Sequence, residues 1–292
     1  MTASASAPAS SPVRSERTVP RRLRDVPLRT GPVLRCIDRA GAPGGETVLL
    51  LHGYSDSGRS WDPVIAALPP DWRVLAPDQR GHGDSERPRE GYGVAQLAAD
   101  AAALLDAAGA SRVTVVGHSM GSFVAQQLAL DHPNRVERLV LVCGAARFPG
   151  AEEFLSEVRT LTDPVSEDFI RSFQRACLRQ PIPEAVFEQA VAESRKLPAR
   201  VWHAIAEGFP AFDVRARLRE IVCPTLVVWG AHDAFFLREQ QEELRAGLRG
   251  AEFVEHADAG HAPHWEDPAR FARDLAAWVA ATSLAVAAAR IA

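Results

Sequence analysis

Residues 113–127 read Val-Thr-Val-Val-Gly-His-Ser119-Met-Gly-Ser-Phe-Val-Ala-Gln-Gln: an apolar run, a serine between two glycines, and a segment with helical spacing, without interruption. Val113, Val115 and Val116 predict a buried strand, and Met120, Val124, Leu128 and Ala129 recur with the period of a helix. Ser119 therefore falls on the sharp turn between strand and helix, the setting of a nucleophile elbow. A G-x-S-x-G match alone is weak, because both residue types are common; the strand before it and the helix after it give it weight. Glycines suit the turn sterically, since strand and helix approach so closely that a side chain at 117 or 121 would collide. The competing reading is an ordinary strand-to-helix turn, and the downstream sequence decides between them.

Outward from that stretch, apolar runs predict strands at 47–52, 73–78, 139–143, 225–229 and 252–256 in addition to 113–117. Such continuous runs suit a parallel sheet covered on both faces. Helical patterns lie between them at 61–68, 94–108, 122–131, 238–248 and 268–280, and this alternation predicts an α/β sandwich. From about 148 to 220 it breaks into consecutive helical patterns at 152–161, 167–178, 184–197 and 200–208, punctuated by Pro164, Pro181, Pro183, Pro198 and Pro210. The expected organisation is a disordered tail at 1–29, a core at 30–146, a helical lid at 147–220 and the rest of the core at 221–292.

The 292 residues are ample for one large domain. A formal net charge of -4 gives no basic surface for nucleic acid, so a small-molecule partner is the default expectation. Cys36, Cys143, Cys177 and Cys223 are scattered without metal-ligand spacing, and read as buried free thiols in a reducing compartment. The sequence has no apolar run near the ~20 residues that span a bilayer, and its first thirty residues lack a secretory signal's apolar stretch. A cytoplasmic location without membrane attachment is expected, a transit peptide being the alternative for the Arg-, Ser- and Pro-rich start. Oligomeric state is not legible.

A serine hydroxyl is a poor nucleophile unless a base lies within hydrogen-bond reach and a third group fixes the base's tautomer. Gly230-Ala-His-Asp233 follows the strand ending at Trp229, which places a carboxylate at the carboxyl end of a sheet strand. After the next strand comes Ala259-Gly-His261-Ala-Pro-His264-Trp-Glu-Asp-Pro, where His261 is the natural base. The order Ser119, Asp233, His261 is the one expected for a hydrolase elbow. Each residue has a duller reading: Asp233 as a helix cap, His264 in place of His261, and His118, His52 and His232 as structural or surface groups. No cofactor or metal is expected, as no His/Cys/Asp spacing resembles a metal site.

Over residues 30–280 the sequence resembles the lid-bearing α/β-hydrolases, the group of esterases, C–C hydrolases and cofactor-free haloperoxidases. The Leu51-His52-Gly53-Tyr54 motif carries that resemblance beside the elbow, and Asp78-Gln-Arg-Gly-His-Gly-Asp-Ser85 is a further family-like loop with a structural role in most members. The resemblance implies a mostly parallel twisted sheet with helices on both faces, and an oxyanion hole made by the backbone N–H groups of Tyr54 and Met120. Members that open epoxides or cleave carbon–halogen bonds carry aspartate at the elbow, so Ser119 points away from both. Serine with a His–Asp pair attacks an sp² carbonyl, as in esters, lactones, thioesters and vinylogous diketones. The expected activity is hydrolysis of small to medium apolar esters or lactones. A C–C hydrolase and a ligand-binding homologue without turnover are the alternatives.

Two features of the 147–220 segment bear on substrate. Phe148, Phe154, Phe169, Phe173, Phe187, Trp202 and Phe209, with Phe235 and Phe236, suggest an apolar pocket in which two or three touch substrate and the rest pack the segment. Arg171, Arg175, Arg179 and Arg195 are candidates to bind a substrate carboxylate, as a C–C hydrolase requires, against the commoner fate of helix-surface arginines.

Overall fold

The computed structural model describes residues 21–291. Eight strands, β1 (Arg21–Pro27), β2 (Val33–Arg39), β3 (Thr47–Leu51), β4 (Arg73–Pro77), β5 (Val113–His118), β6 (Val136–Val142), β7 (Thr225–Gly230) and β8 (Glu252–His256), form one sheet in the order β1-β2-β4-β3-β5-β6-β7-β8. Every pairing from β4 to β8 is parallel; β1 and β2 are antiparallel to their neighbours. The helices are α1 (Asp62–Ala67), α2 (Val94–Ala107), α3 (Met120–Asp131), α4 (Ala151–Val158), α5 (Glu167–Ala176), α6 (Glu184–Arg195), α7 (Ala199–Ala206), α8 (Arg238–Gly247), α9 (Pro263–Glu266) and α10 (Pro268–Ile291).

Side chains alternate across the sheet, and both faces are covered. Leu49, Leu51, Val115, Leu139, Leu141 and Val227 pack with Leu97, Leu104, Val124 and Leu128 of α2 and α3. Val48, Leu50, Val116, Val140, Val142 and Leu226 pack with Val64, Phe271 and Leu275 of α1 and α10. A strand buried on both faces has no polar side to show, which is why these strands read as unbroken apolar runs.

The six strands read from the sequence are all present, displaced at their ends by no more than three residues. β1 and β2 were not expected. Residues 21–27, assigned to a disordered tail, pair along their full length with β2 from Arg21↔Arg39 to Pro27↔Val33. This strand is held by backbone hydrogen bonds and by Arg24–Asp38 (2.7 Å) and Arg35–Asp25 (3.0 Å) ion pairs. Its side chains are almost all exposed, so it lacks the apolar signature that marks the central strands. The rest of the expected tail, residues 1–20, lies outside the described residues. Between β6 and β7 the chain forms α4 to α7 in succession with no strand among them.

Candidate active site

Ser119 joins β5 to α3 with φ 51° and ψ -118°, a conformation that costs a non-glycine residue about 1–3 kcal/mol. The turn is held by Ser119 N donating to Val142 O (3.0 Å), and by Ser122 N and Oγ donating to Ser119 O (2.8 and 2.6 Å). The flanking glycines are where the close approach requires them. A Cβ on Gly117 would lie 2.1 Å from Gly121 O, and one on Gly121 would lie 2.2 Å from Leu51 O. Met120 opens α3, so its amide is one of the donors a helix start leaves unpaired.

Asp233 sits in the loop after β7, and His261 in the loop between β8 and α9. These loops are stitched together by Ala231 N to His256 O (3.0 Å) and His232 N to Ala259 O (2.9 Å). Gly230 permits the approach: a Cβ there would fall 1.9 Å from Gly260 O. Asp233 Oδ1 accepts from His261 Nδ1 (2.9 Å), Phe235 N (2.8 Å) and Phe236 N (3.0 Å) in a position only 3% exposed. The carboxylate thus assigns the proton to Nδ1 and leaves Nε2 as the ring's basic nitrogen. Asp233 does not cap α8, whose N-cap position is Leu237; the two backbone amides it receives belong to the preceding turn.

His264, His118 and His52 are packed away, whereas His232 is exposed on the loop that carries Asp233. His264, the alternative base, is fully buried between Trp61 (ring centroids 4.5 Å apart) and His118 (4.3 Å). Its contacts do not include Asp233, and burial pushes its pKa down to about 3. His118 donates from Nε2 to the backbone oxygen of His261 (2.8 Å), which steadies the loop that carries His261. Desolvation, with the neighbouring His264 and His261, holds His118 well below the ordinary histidine range. His52 accepts from Gln79 N at Nε2 (2.9 Å) and donates from Nδ1 to Gly53 O (2.8 Å), and so braces the loop that carries Tyr54. The 78–85 loop is held by Asp78, which accepts from Gly58 N and Asp84 N, both at 2.8 Å.

Ser119, His261, Gly53, Tyr54 and Met120 all line one cavity. Phe148, Phe154, Phe173, Phe209, Phe235 and Phe236, six of the nine aromatics singled out from the sequence, form its aromatic wall. Phe169, Phe187 and Trp202 pack behind them. The Tyr54 ring makes edge-on contacts with Phe154, Phe173, Trp202 and Phe209, and its hydroxyl donates to Trp202 O (2.7 Å), so the segment after β3 is anchored to the helices between β6 and β7.

The arginines of the 147–220 segment singled out from the sequence do not reach this cavity. Arg171 pairs with Glu167 (2.9 Å) and Glu188 (2.6 Å), Arg195 with Glu167 (2.9 Å), and Arg175 lies 4.7 Å over the Phe187 ring. None of them, nor Arg179, is among the lining residues, so no guanidinium from this set receives a substrate carboxylate in this arrangement. The sequence reading missed three polar or amphipathic members of the wall: Asp56, Gln174 and Trp265. Asp56 stands two residues beyond Tyr54, and a carboxylate so close to the His52-Gly53-Tyr54 motif was a signal available in the sequence.

Among the described residues, the one cluster with metal-like spacing is Cys143, Asp233 and His261, whose donor atoms lie within 4.8 Å of one another. Burial and the Asp233 charge push the Cys143 thiol up, so it stays protonated. His261 already donates to Asp233, and the set therefore works as a hydrogen-bonded pair beside a neutral thiol.

Residues 46–268 match the family model for the alpha/beta hydrolase fold, and the chain belongs to that family. RutD of Variovorax paradoxus, a proposed carbamate hydrolase, is 34% identical over 261 residues, covering 83% of this chain and 95% of its own. The esterase RhEst1 from Rhodococcus sp. ECU1013 superposes with a TM-score of 0.78 at 26% identity, covering 88% and 98% of the two chains. The enol-lactonase from Burkholderia xenovorans LB400 gives 0.77 at 25%, covering 88% and 100%. The chain is similar to all three, and hydrolysis is the chemistry of its family.

Proposed function

We propose that the protein is a serine hydrolase of carboxylic esters or lactones with small to medium apolar substituents. The observation that carries this is the Asp233–His261 hydrogen bond opening onto the same aromatic cavity as a serine held on a strained elbow. In this reading Ser119 Oγ attacks the carbonyl carbon while His261 Nε2 takes its proton, and Asp233 steadies the imidazolium that results. The amides of Tyr54 and Met120 receive the oxyanion, worth on the order of 3 kcal/mol each. Collapse expels the alcohol, protonated by His261, and leaves an acyl-Ser119. Water, deprotonated by the same histidine, then releases the acid.

In this reading the helices α4–α7 act as the lid. Carbamates present the same kind of carbon, and the similarity to a proposed carbamate hydrolase places them in the substrate panel. A C–C hydrolase is disfavoured because its acid substrate would meet no arginine of the lid set in the cavity. The test is a chromogenic ester series from acetate to decanoate, with a lactone and a carbamate, on wild type and Ser119→Ala. Loss of at least about a thousandfold in the variant supports the reading. Equal, slow rates in both proteins refute it and favour a ligand-binding role.

A further inference from the structure

The cavity is aromatic on one side and carries a second acid on the other. Asp56 is 4% exposed, lines the cavity, and accepts from Gln174 Nε2 at Oδ1 (3.1 Å). Gln174 comes from α5, is 1% exposed, and also donates to Ser194 Oγ (2.8 Å), so the amide is fixed from the α6 side. Neither residue has a part in the proposed hydrolysis. A carboxylate has about four acceptor positions, and one side-chain donor leaves this buried group short of partners.

Its place makes the shortage chemically relevant. A Cβ on Gly53 would lie 3.2 Å from Asp56 Oδ2 and 2.9 Å from His118 Nδ1, so the carboxyl stands against the oxyanion loop. A bare carboxylate there opposes the negative charge that grows on the substrate oxygen. Among the described residues no cation pairs with it: the nearby Arg59 reaches toward Glu193 (3.9 Å) and Asp62 (3.7 Å) instead. Two things can, a proton or a donor brought by the substrate. The first is in play, because burial lifts Asp56 to about 7, against the lowering effects of Gln174 and His261.

Building on the ester-hydrolase reading, we infer that Asp56, held by Gln174, is a specificity subsite for substrates that carry an N–H or O–H within a bond or two of the scissile carbonyl. The donor hydrogen-bonds to the Asp56 carboxyl, and the apolar remainder of the substrate fills the aromatic wall. Substrates that place an anionic group at this position are selected against.

The test compares the phenyl esters of N-acetylglycine and N-acetylsarcosine, which differ by N–H against N–CH₃, and of glycolic and methoxyacetic acid, which differ by O–H against O–CH₃. In wild type the donor-bearing member of each pair is expected to have the higher kcat/KM by roughly tenfold to a hundredfold, the range for a hydrogen bond to a charged group. In Asp56→Asn that preference shrinks by at least about tenfold, through KM rather than kcat. Each ratio is taken within one protein, so a loss of folded enzyme cancels. If Asp56→Asn does not fold, equal rates within both pairs in wild type overturn the inference by themselves. Calorimetric binding of the same esters to Ser119→Ala separates the two readings. If wild type turns over none of the esters, the hydrolase reading fails, while the Kd ratio in Ser119→Ala still decides the subsite. Equal Kd values within each pair overturn it.

Discussion

Replacing Gly121 by alanine sets two known effects against each other, and their sizes decide the sign. Gly121 lies in the first turn of α3, where helix propensity alone favours alanine by up to about 1 kcal/mol. The added Cβ would fall 2.2 Å from Leu51 O and 2.7 Å from His52 O, both backbone atoms that cannot swing aside. Ordinary contact begins near 3.4 Å, so β3 and α3 must part by about 1 Å. Overpacking of this kind costs about 1–3 kcal/mol, and the upper end applies against main chain. The net loss is about 2 kcal/mol, which for a domain of this size lowers Tm by about 4–8 °C. The same displacement moves Met120 relative to Tyr54, the two proposed oxyanion donors, and a misplacement of about 1 Å is worth roughly a hundredfold in rate. Thermal unfolding and ester turnover on one preparation read both. A variant with raised Tm and unchanged kcat would refute the close approach and the argument for glycine in the elbow.

Asp233→Asn keeps the volume but offers an amide where one oxygen now accepts from His261 and two backbone amides; kcat should fall by as much as roughly ten-thousandfold with the fold retained by circular dichroism, and a loss below tenfold would remove Asp233 from the mechanism. Arg171→Ala should leave KM unchanged for both neutral and carboxylate-bearing esters, because its guanidinium is occupied by Glu167 and Glu188; a rise in KM confined to the acid substrate would restore the carboxylate-binding role. Asp56 makes stability depend on pH in a definite direction. Its folded pKa of about 7 exceeds the ordinary aspartate value, so between about pH 4 and 7 the native state holds the proton more tightly and stability falls as pH rises. Asp56→Asn should remove that fall, read as a smaller difference in urea midpoint between pH 5 and pH 7.5 than in wild type; identical differences would show that Asp56 does not titrate there. The groups around it, Gln174, Glu193 and His261, remain in both proteins.

The central strands, the alternation with helices and the elbow were legible because each is a local pattern. A strand covered on both faces must be apolar throughout, and a serine turn pressed between strand and helix must carry glycine on both sides. The placement of Ser119, Asp233 and His261 was legible for a related reason: each follows the end of a strand, and in an open α/β sheet those ends converge.

What the sequence did not carry was set by contacts between distant segments. β1 is a strand only because β2 offers it a row of backbone partners, and backbone hydrogen bonds leave no side-chain signature. The choice between His261 and His264, three residues apart, fell to packing: one ring reaches Asp233, and the other is enclosed by Trp61 and His118. Arg171 and Arg195 were candidates for substrate until the helices came together and paired them with glutamates. Asp56 acquired its place in the cavity from a glutamine 118 positions along the chain. Local pattern fixed the strands and the chemistry at their ends, whereas the tertiary structure decided which polar groups face the substrate, because burial and partnership are properties of neighbours in space.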